Sequence, residues 1–467
     1  METRVYMENN IATVNKIDFL DEQSKILFEC NKKYYETGDL KWRFLGLLRS
    51  HHIRFDEYIK INEIINDRIR SASNVYIFGA GNYGARVFEG MQLHDISDKL
   101  SGFIDNDTLK IGKVFCGKSV FKVEDIINQD NAIILLPECP YTLQMYLQLH
   151  EIGGVYDKNI IYVYNCYEEI VLEKELELET IFLNEKNRFI IFGKGRYNYS
   201  YDLKDLVNSC GGRILFEIKD NYYCDDTLGD LINERNNLFV ICFSEKDRRA
   251  LINKGVNDNR IIQFFNTDGM LQYFDPLITD NYHRENEIFV DGGSLDCTAS
   301  RNMMLWSGGK LKRIYAFEPG EESFRRCLGT LDYDRELARI TTVINCALWN
   351  DETKLNFEMT ESLGSSRIRV DECNDKTIVV KTTTIDNIID DDEVTFIKLD
   401  IEGAEVEALE GARKAIIKNH PFMAISIYHK ASDIIKIPSV IKELDSTYKF
   451  YIRCYHEDGI EMVLYCI

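Results

Sequence analysis

The chain has 467 residues, 45% of them hydrophobic and 28% charged, with a formal net charge of -21. That is globular composition, long enough for roughly two to four domains, and so acidic a surface excludes general binding to nucleic acid or an anionic membrane. No apolar run reaches the ~18 residues of a membrane span.

The opening decapeptide METRVYMENN has no basic region followed by an apolar core, so no secretory leader is expected. The 13 cysteines are scattered without a Cys-x-x-Cys pair. That suits reduced thiols and a cytoplasmic setting better than a disulfide framework or a zinc site. The 8 histidines show no metal-ligand spacing either.

Residues 1–73 read as a helical lead-in. Leu45, Leu47, Leu48, Ile53, Tyr58 and Ile61 supply apolar contacts, and no catalytic signature is present. Packing or a homo-oligomer contact is the expected role.

Residues 74–167 read as a Rossmann-like unit. Val75-Tyr76-Ile77-Phe78 is a short apolar strand that runs into Gly79-Ala80-Gly81-Asn82-Tyr83-Gly84. This G-x-G-x-x-G permits a tight turn and close backbone approach to a phosphate at a helix N-terminus. About twenty residues on, a second strand ends at Asp105, where a ribose acceptor is expected. A third strand follows at residues 132–136. The segment Gly102-Phe103-Ile104-Asp105-Asn106-Asp107, with Lys110, Gly112 and Gly117 after it, resembles the N-terminal domain of bacterial sugar N-acyltransferases. The resemblance implies a nucleotide-sugar site at Gly79, Gly81, Gly84 and Asp105. The alternative is a Rossmann-shaped domain that only packs.

Residues 168–280 read as a connecting helix and a degenerate second copy. Gly255-Val256-Asn257-Asp258 repeats Gly154-Val155-Tyr156-Asp157, and residues 189–195 echo the first glycine turn. Asn198 stands where Gly84 stood, which hinders close packing, so this copy reads as a scaffold.

Residues 281–467 read as a third unit. Strands are expected at residues 288–290, 314–317, 342–347, 396–399 and 422–428, with a closing antiparallel hairpin at 448–455 and 461–466, turning at 457–459. Leu409, Ala412 and Ile416 mark the helix after the fourth strand. Asp291, Gly293, Ser294, Glu318, Ala347, Leu348, Asp400 and His429 then fall at strand ends on one edge, where ligands lie in open α/β sheets. Gly293 is read as clearing room for a ligand near the backbone, and Glu318 as accepting two ribose hydroxyls. The first loop, Asp291-Gly292-Gly293, lacks a pyrophosphate pattern. An acidic loop suits a cationic ligand.

The pieces FVDGGSLDCT, YAFEP, NCALWND, LGSSRI, TTTIDNI, FIKLDIEGAEVEALEGA and ISIYHK, in this order, resemble the FkbM family of S-adenosylmethionine-dependent O-methyltransferases. The resemblance covers roughly residues 281–467 and implies a class I methyltransferase sheet there; with the two glycine-turn units before it, the chain reads as an α/β fold of three Rossmann-like units. The resemblance implies S-adenosylmethionine as cofactor, Asp291 and Gly293 at its methionine end, Glu318 on its ribose and Asp400 beside the reactive centre. It also implies a sugar or glycan acceptor. Cys297 departs from the family pattern, which has a second glycine there. A Cβ disfavours positive φ, so cofactor affinity is in question.

Methylating a weakly acidic hydroxyl needs a base or a metal. His429 is the first candidate base. Asp400 and Glu402 are the alternative, as one base or as two ligands for Mg²⁺. Arg453 is a candidate clamp for a substrate anion, and the run Asp390-Asp391-Asp392-Glu393 reads as a solvated turn. Two other classes remain open: an NAD-dependent sugar-nucleotide oxidoreductase or epimerase working from Gly79–Gly84, and a non-catalytic scaffold. The first lacks a Tyr-x-x-x-Lys pair in residues 74–165.

Overall fold

The computed structural model describes residues 17–126, 129, 131–154, 158–164, 167, 177–193, 200–218, 228–264, 269–358, 367–369, 377–456 and 461–467. They form two compact units, one built on residues 36–269 with 455–460, the other on residues up to Tyr35 with 270–454 and 461–467. The helical lead-in is therefore divided. Helix Leu40–Ser71 belongs to the first unit, whereas helix Glu22–Thr37 contributes Leu27 and Phe28 to the core of the second. Positions 168–176, Asn198, 363–366 and the hairpin turn at 457–459 lie outside the described residues.

The first unit holds two sheets. Strands β1 (Asn74–Phe78), β2 (Leu100–Ile104), β3 (Val114–Phe115), β4 (Lys118–Phe121), β5 (Ala132–Pro137) and β6 (Ile160–Val163) pair in the order β3-β4-β2-β1-β5-β6. Strands β7 (Arg188–Phe192), β8 (Arg213–Ile218), β9 (Leu238–Cys242) and β10 (Ile261–Gln263) pair in the order β10-β9-β7-β8. Apart from the β3–β4 ribbon, both sheets are parallel and share the order second-first-third-fourth. The internal repeat read from the sequence is thus a repeat of topology.

Each copy opens on a glycine with positive φ, +104° at Gly79 and +95° at Gly193. A Cβ at Gly84 would lie 1.9 Å from the Gly79 carbonyl oxygen. That glycine lets helix Asn82–Leu93 seat against the turn.

The second unit is built on a seven-stranded sheet. Its strands are β11 (Glu287–Gly292), β12 (Leu311–Phe317), β13 (Thr341–Ile344), β18 (Phe396–Leu399), β19 (Phe422–Ser426), β20 (Phe450–Cys454) and β21 (Met462–Cys466), in the order β13-β12-β11-β18-β19-β21-β20. The first five are parallel; β21 runs antiparallel to β19 and β20, which makes the expected closing hairpin. Strand order reverses between β11 and β18, the switch point where ligands of such sheets lie.

Two local expectations change. The strand expected at 342–347 ends at Ile344, because the chain turns there with Cys346 N–H on the Ile344 carbonyl and the Asn345 amide on the Glu318 carbonyl. Ala347–Leu348 forms β14 of a separate small sheet with β15 (Lys354–Glu358), β16 (Arg367–Arg369) and β17 (Thr377–Thr383). The helix expected through Leu409, Ala412 and Ile416 is broken into Glu405–Glu410 and Arg413–Asn419. At the break Gly411 meets the Trp349 carbonyl, 2.2 Å from where a Cβ would be. The Asp386 carboxylate caps the second piece through the N–H groups of Lys414 and Ala415, each at 2.9 Å. All three side chains remain fully buried.

Candidate active site

The strand at the switch point, β18, is fully buried, and one of its four residues is charged. Lys398 lies in the middle of the run Phe396-Ile397-Lys398-Leu399 and is 3% exposed. A charge there needs a partner. Register supplies it: Asp291 on β11 pairs with Lys398 on β18. Lys398 Nζ lies 3.2 Å from Asp291 Oδ1 and also donates to the carbonyls of Gly292 at 2.9 Å and Gly293 at 2.7 Å. Burial pulls the Lys398 pKa down, but the charges of Asp291 and Asp400 outweigh it and hold the ammonium protonated. Ser300 donates to the other Asp291 oxygen at 2.7 Å. Asp291 therefore fixes the end of β11, with each of its oxygens held by a donor from its own chain.

Gly293 follows with φ +74°, and a Cβ on it would sit 1.9 Å from the Asp400 carbonyl oxygen. The expected reason for this glycine was clearance for a ligand. The geometry gives another: the β11 and β18 chain ends approach too closely for any side chain. Ser294 is buried and donates to the Asp291 carbonyl at 2.9 Å. Leu295 and Cys297 take φ of +54° and +64°. Cys297 thus adopts the left-handed backbone a glycine would adopt, at a cost of about 1–3 kcal/mol for a residue with a Cβ. Its side chain is fully buried, with a thiol hydrogen bond to Cys327 that, together with burial, raises its pKa. The loop keeps the glycine geometry, so the objection raised by Cys297 loses its backbone ground.

Glu318 stands past the end of β12. Its Oε2 accepts the Leu295 N–H at 3.0 Å and its Oε1 accepts the Gly320 N–H at 2.8 Å. Burial raises its pKa, and these two N–H groups oppose the rise. One donor per oxygen leaves each oxygen a further lone pair. Ala347 and Leu348 are buried at the start of the small sheet.

On the other side of the switch point, Asp400, Glu402 and His429 come together as read from the sequence. His429 Nε2 lies 3.3 Å from Asp400 Oδ1 and 3.7 Å from Glu402 Oε2, and its Nδ1 lies 2.9 Å from Glu405 Oε1. Burial alone would lower the histidine pKa, but the three carboxylates, Glu405 foremost, push it up to about 10. At neutral pH this histidine is an imidazolium that already holds its proton.

Asp400 also accepts from the Tyr273 hydroxyl at 2.7 Å and the Tyr428 hydroxyl at 3.3 Å. Burial works to raise its pKa, yet Lys398, His429 and Tyr273 lower it, so Asp400 stays ionised. Glu402 is different. Burial pushes its pKa up to about 7, reinforced by Asp400 and Glu405 and opposed only by His429. It sits at φ +57°, with Gly403 at +95°, in a strained turn of the kind found at functional sites. Glu405 ties that turn by accepting the Ile401 N–H at 3.0 Å.

Lys398, Tyr273, Tyr428 and Glu405 were not singled out by the sequence reading. A lone lysine inside an otherwise apolar buried strand is a signal that could have found Lys398. Tyr273 lies 127 residues from Asp400 in the chain, and no local pattern connects them.

Arg453 does not reach this edge. Its Nη2 lies 2.6 Å from Asp21 Oδ2 and its Nη1 3.3 Å from Ser24 Oγ. The expected anion clamp is instead a buried strut between β20 and helix Glu22–Thr37. Arg453→Met is expected to lower stability by about 3 kcal/mol, the order for removing one partner of a buried pair. Chemical denaturation checks this, and an unchanged KM for the acceptor would accompany it.

Among the described residues, no group of three or more His, Cys, Asp or Glu side chains is arranged to hold a metal ion. The Mg²⁺ alternative for Asp400 and Glu402 gains no support, since the cation between them is His429 itself.

Residues 291–448 match the family model of the methyltransferase FkbM domain. Among solved structures, the chain is similar to a methyltransferase FkbM from Methylobacillus flagellatus KT, at 17% identity, TM-score 0.36, covering 91% of this chain and 98% of that one. It is also similar to a putative rRNA-methylase from Clostridium thermocellum, at 13% identity, TM-score 0.28, covering 43% of this chain and 94% of that one. A SAM-dependent methyltransferase from Aquifex aeolicus matches at 13% identity and TM-score 0.25, covering 42% of this chain and 90% of that one. No curated protein matches the chain. The matched family model lies outside residues 74–165, so the sugar N-acyltransferase likeness there rests on those residues alone.

Proposed function

We propose, from the premise that residues 291–448 are an FkbM methyltransferase domain, that the chain methylates a hydroxyl of a sugar or glycan precursor with S-adenosylmethionine as donor. The observation that carries the reading is the trio Asp400, Glu402 and His429, in which one carboxylate stays ionised, one titrates near 7 and the histidine holds its proton.

The donor set fits the cofactor. Glu318 presents a carboxylate already oriented by two backbone N–H groups, which suits a pair of ribose hydroxyls. Ionised Asp400 suits a cationic centre. Ala347 and Leu348 would flank the base, and the turn at Gly293 and Ser294 the amino-acid end. When bound, S-adenosylmethionine supplies the electrophilic methyl carbon.

The chain supplies the proton traffic. Glu402, with a pKa near the working pH, takes the proton of the acceptor hydroxyl at its carboxylate. His429 remains protonated beside it and offsets the charge of Asp400 and Glu405. Tyr273 and Tyr428 hold the Asp400 carboxylate in one orientation. The sugar class is supported by the resemblance of the motifs, and the hydroxyl class by a base tuned near neutrality. The domain match weighs against the scaffold and oxidoreductase readings.

Isothermal titration tests the cofactor assignment. Wild-type protein is expected to bind S-adenosylmethionine, and Glu318→Ala to bind it at least about tenfold more weakly, because two hydrogen bonds to a charged group are lost. No binding by the wild type would overturn the reading.

A further inference from the structure

In the first unit Gly79, Gly81, Gly84 and Asp105 line one cavity, the grouping expected there from the sequence, and Asp105 is already held by the N–H groups of Ala80 and Asp107 and by Lys110. The second unit holds a buried acid that the methyltransferase reading leaves without a task. Asp433 is the first residue of helix Asp433–Leu444 and is 2% exposed.

Its neighbour is Glu405, the first residue of helix Glu405–Glu410, which packs against helix Asp433–Leu444. Glu405 is 1% exposed, and its two oxygens are unequally served. Oε1 lies 2.9 Å from His429 Nδ1 and accepts the N–H groups of Ile401 at 3.0 Å and Gly403 at 3.4 Å. Oε2 is buried, and among the described residues no hydrogen-bond donor reaches it. A carboxyl oxygen shut away from water without a donor is costly, so such atoms have partners in folded proteins. The donor that fits is a carboxyl proton on the neighbouring acid.

Asp433 can supply it. Its Oδ2 accepts the Lys430 N–H at 2.9 Å, which leaves Oδ1 to carry a proton. The charged groups that face Asp433 are Glu405 from the neighbouring helix and His429 and Lys430 from the loop after β19. Burial and the Glu405 charge push its pKa up to about 7, against the Lys430 N–H and the two cations. Two acids buried side by side resist ionising together, and one keeps its proton. The effect reaches the reacting groups. Glu405 Oε1 holds the His429 ring and the Glu402–Gly403 turn at once, so whatever fixes the rotation of this carboxyl group fixes both.

We propose that Asp433 is a positioning residue of the methyl-transfer site: its carboxyl proton is donated to Glu405 Oε2 and locks the group that holds His429 and the Glu402 turn. The effect on turnover rests on the roles read above for Glu402 and His429; the shared proton rests on the fold alone.

Infrared difference spectroscopy tests the proton. Below the Asp433 pKa of about 7, the wild type minus Asp433→Asn spectrum is expected to show the stretch of a protonated carboxyl group, fading as pH rises through about 7. Glu402, pushed up to about 7 as well, is present in both proteins and cancels. The folded state holds the Asp433 proton between the ordinary carboxylate range and about 7, and the unfolded chain does not. Wild-type stability should therefore fall with rising pH across that window more steeply than that of Asp433→Asn. Asparagine keeps an acceptor for the Lys430 N–H and a donor for Glu405 at every pH, so its kcat on a panel of methyl glycosides is expected to stay within a few-fold of the wild type. Asp433→Leu keeps the bulk without the donor. It is expected to lower kcat by about tenfold or more, since slight misplacement of reacting groups is enough, with S-adenosylmethionine affinity held. Absence of the carboxyl band overturns the proposal, as does equal turnover by wild type and Asp433→Leu, or a loss in Asp433→Asn as large as in Asp433→Leu. The infrared measurement needs neither acceptor nor cofactor, so failure here is distinguishable from failure of the methyltransferase reading.

Discussion

Glu402→Gln is expected to lower kcat by roughly 100- to 10,000-fold, the range for loss of a general base, with S-adenosylmethionine affinity kept within a few-fold. Gln preserves the size of the side chain and removes only its capacity to take a proton. The pH dependence separates Glu402 from His429. A carboxyl group acts as a base only when ionised. Glu402 has its pKa pushed up to about 7, so kcat/KM of the wild type should rise with pH through about 7 and then level. His429, held at about 10, would give a rise centred near 10 if it were the base. A limb near 7 that disappears in Glu402→Gln assigns the base to Glu402. A limb near 10 that survives in that variant returns it to His429.

Lys398→Met should destabilise the second unit by about 3–5 kcal/mol, measured by urea or guanidinium unfolding, because it removes one partner of a buried pair. Asp291 is fully buried, and without Lys398 its carboxylate keeps only the Ser300 hydroxyl. The Gly293 carbonyl loses the Lys398 donor in the same step, while the Gly292 carbonyl keeps the Asp400 N–H at 3.1 Å. Asp291→Asn combined with Lys398→Met is expected to recover part of the loss, since no uncompensated charge then remains. Equal stability of Lys398→Met and the wild type would remove the strut from the account of this edge.

The two glycine turns, the third unit with its strand-end acids and the closing hairpin were legible in the sequence because their signals are local. Alternation, apolar runs and glycines act over a few residues, and the 154–255 correspondence marks the repeat directly. The trio Asp400, Glu402 and His429 was also readable, since residues that follow neighbouring parallel strands must meet at one edge. What each member does was not. A histidine in isolation reads as a base near pH 6.5. Here three carboxylates, brought by the ends of β18 and β19 and by helix Glu405–Glu410, turn it into a fixed cation. The proton-accepting role passes to the neighbour that burial has raised.

The same division holds elsewhere. Sequence alone placed a glycine at 293, but only the approach of the Asp400 carbonyl explains it. Sequence alone placed Arg453 in the hairpin, and only packing turned it toward Asp21. The chain by itself determined which elements form and where its chemical groups cluster along strand ends. Tertiary structure decided which of those groups are satisfied by their own fold, because charge, burial and hydrogen bonding are properties of neighbours far apart in sequence. Gly79 and Gly193 make the point within one chain: both take positive φ at the end of a first strand, yet a Cβ at Gly193 would fall 2.4 Å from Asp247 Oδ2, whereas at Gly79 the nearest atom is Met145 Cε at 3.9 Å.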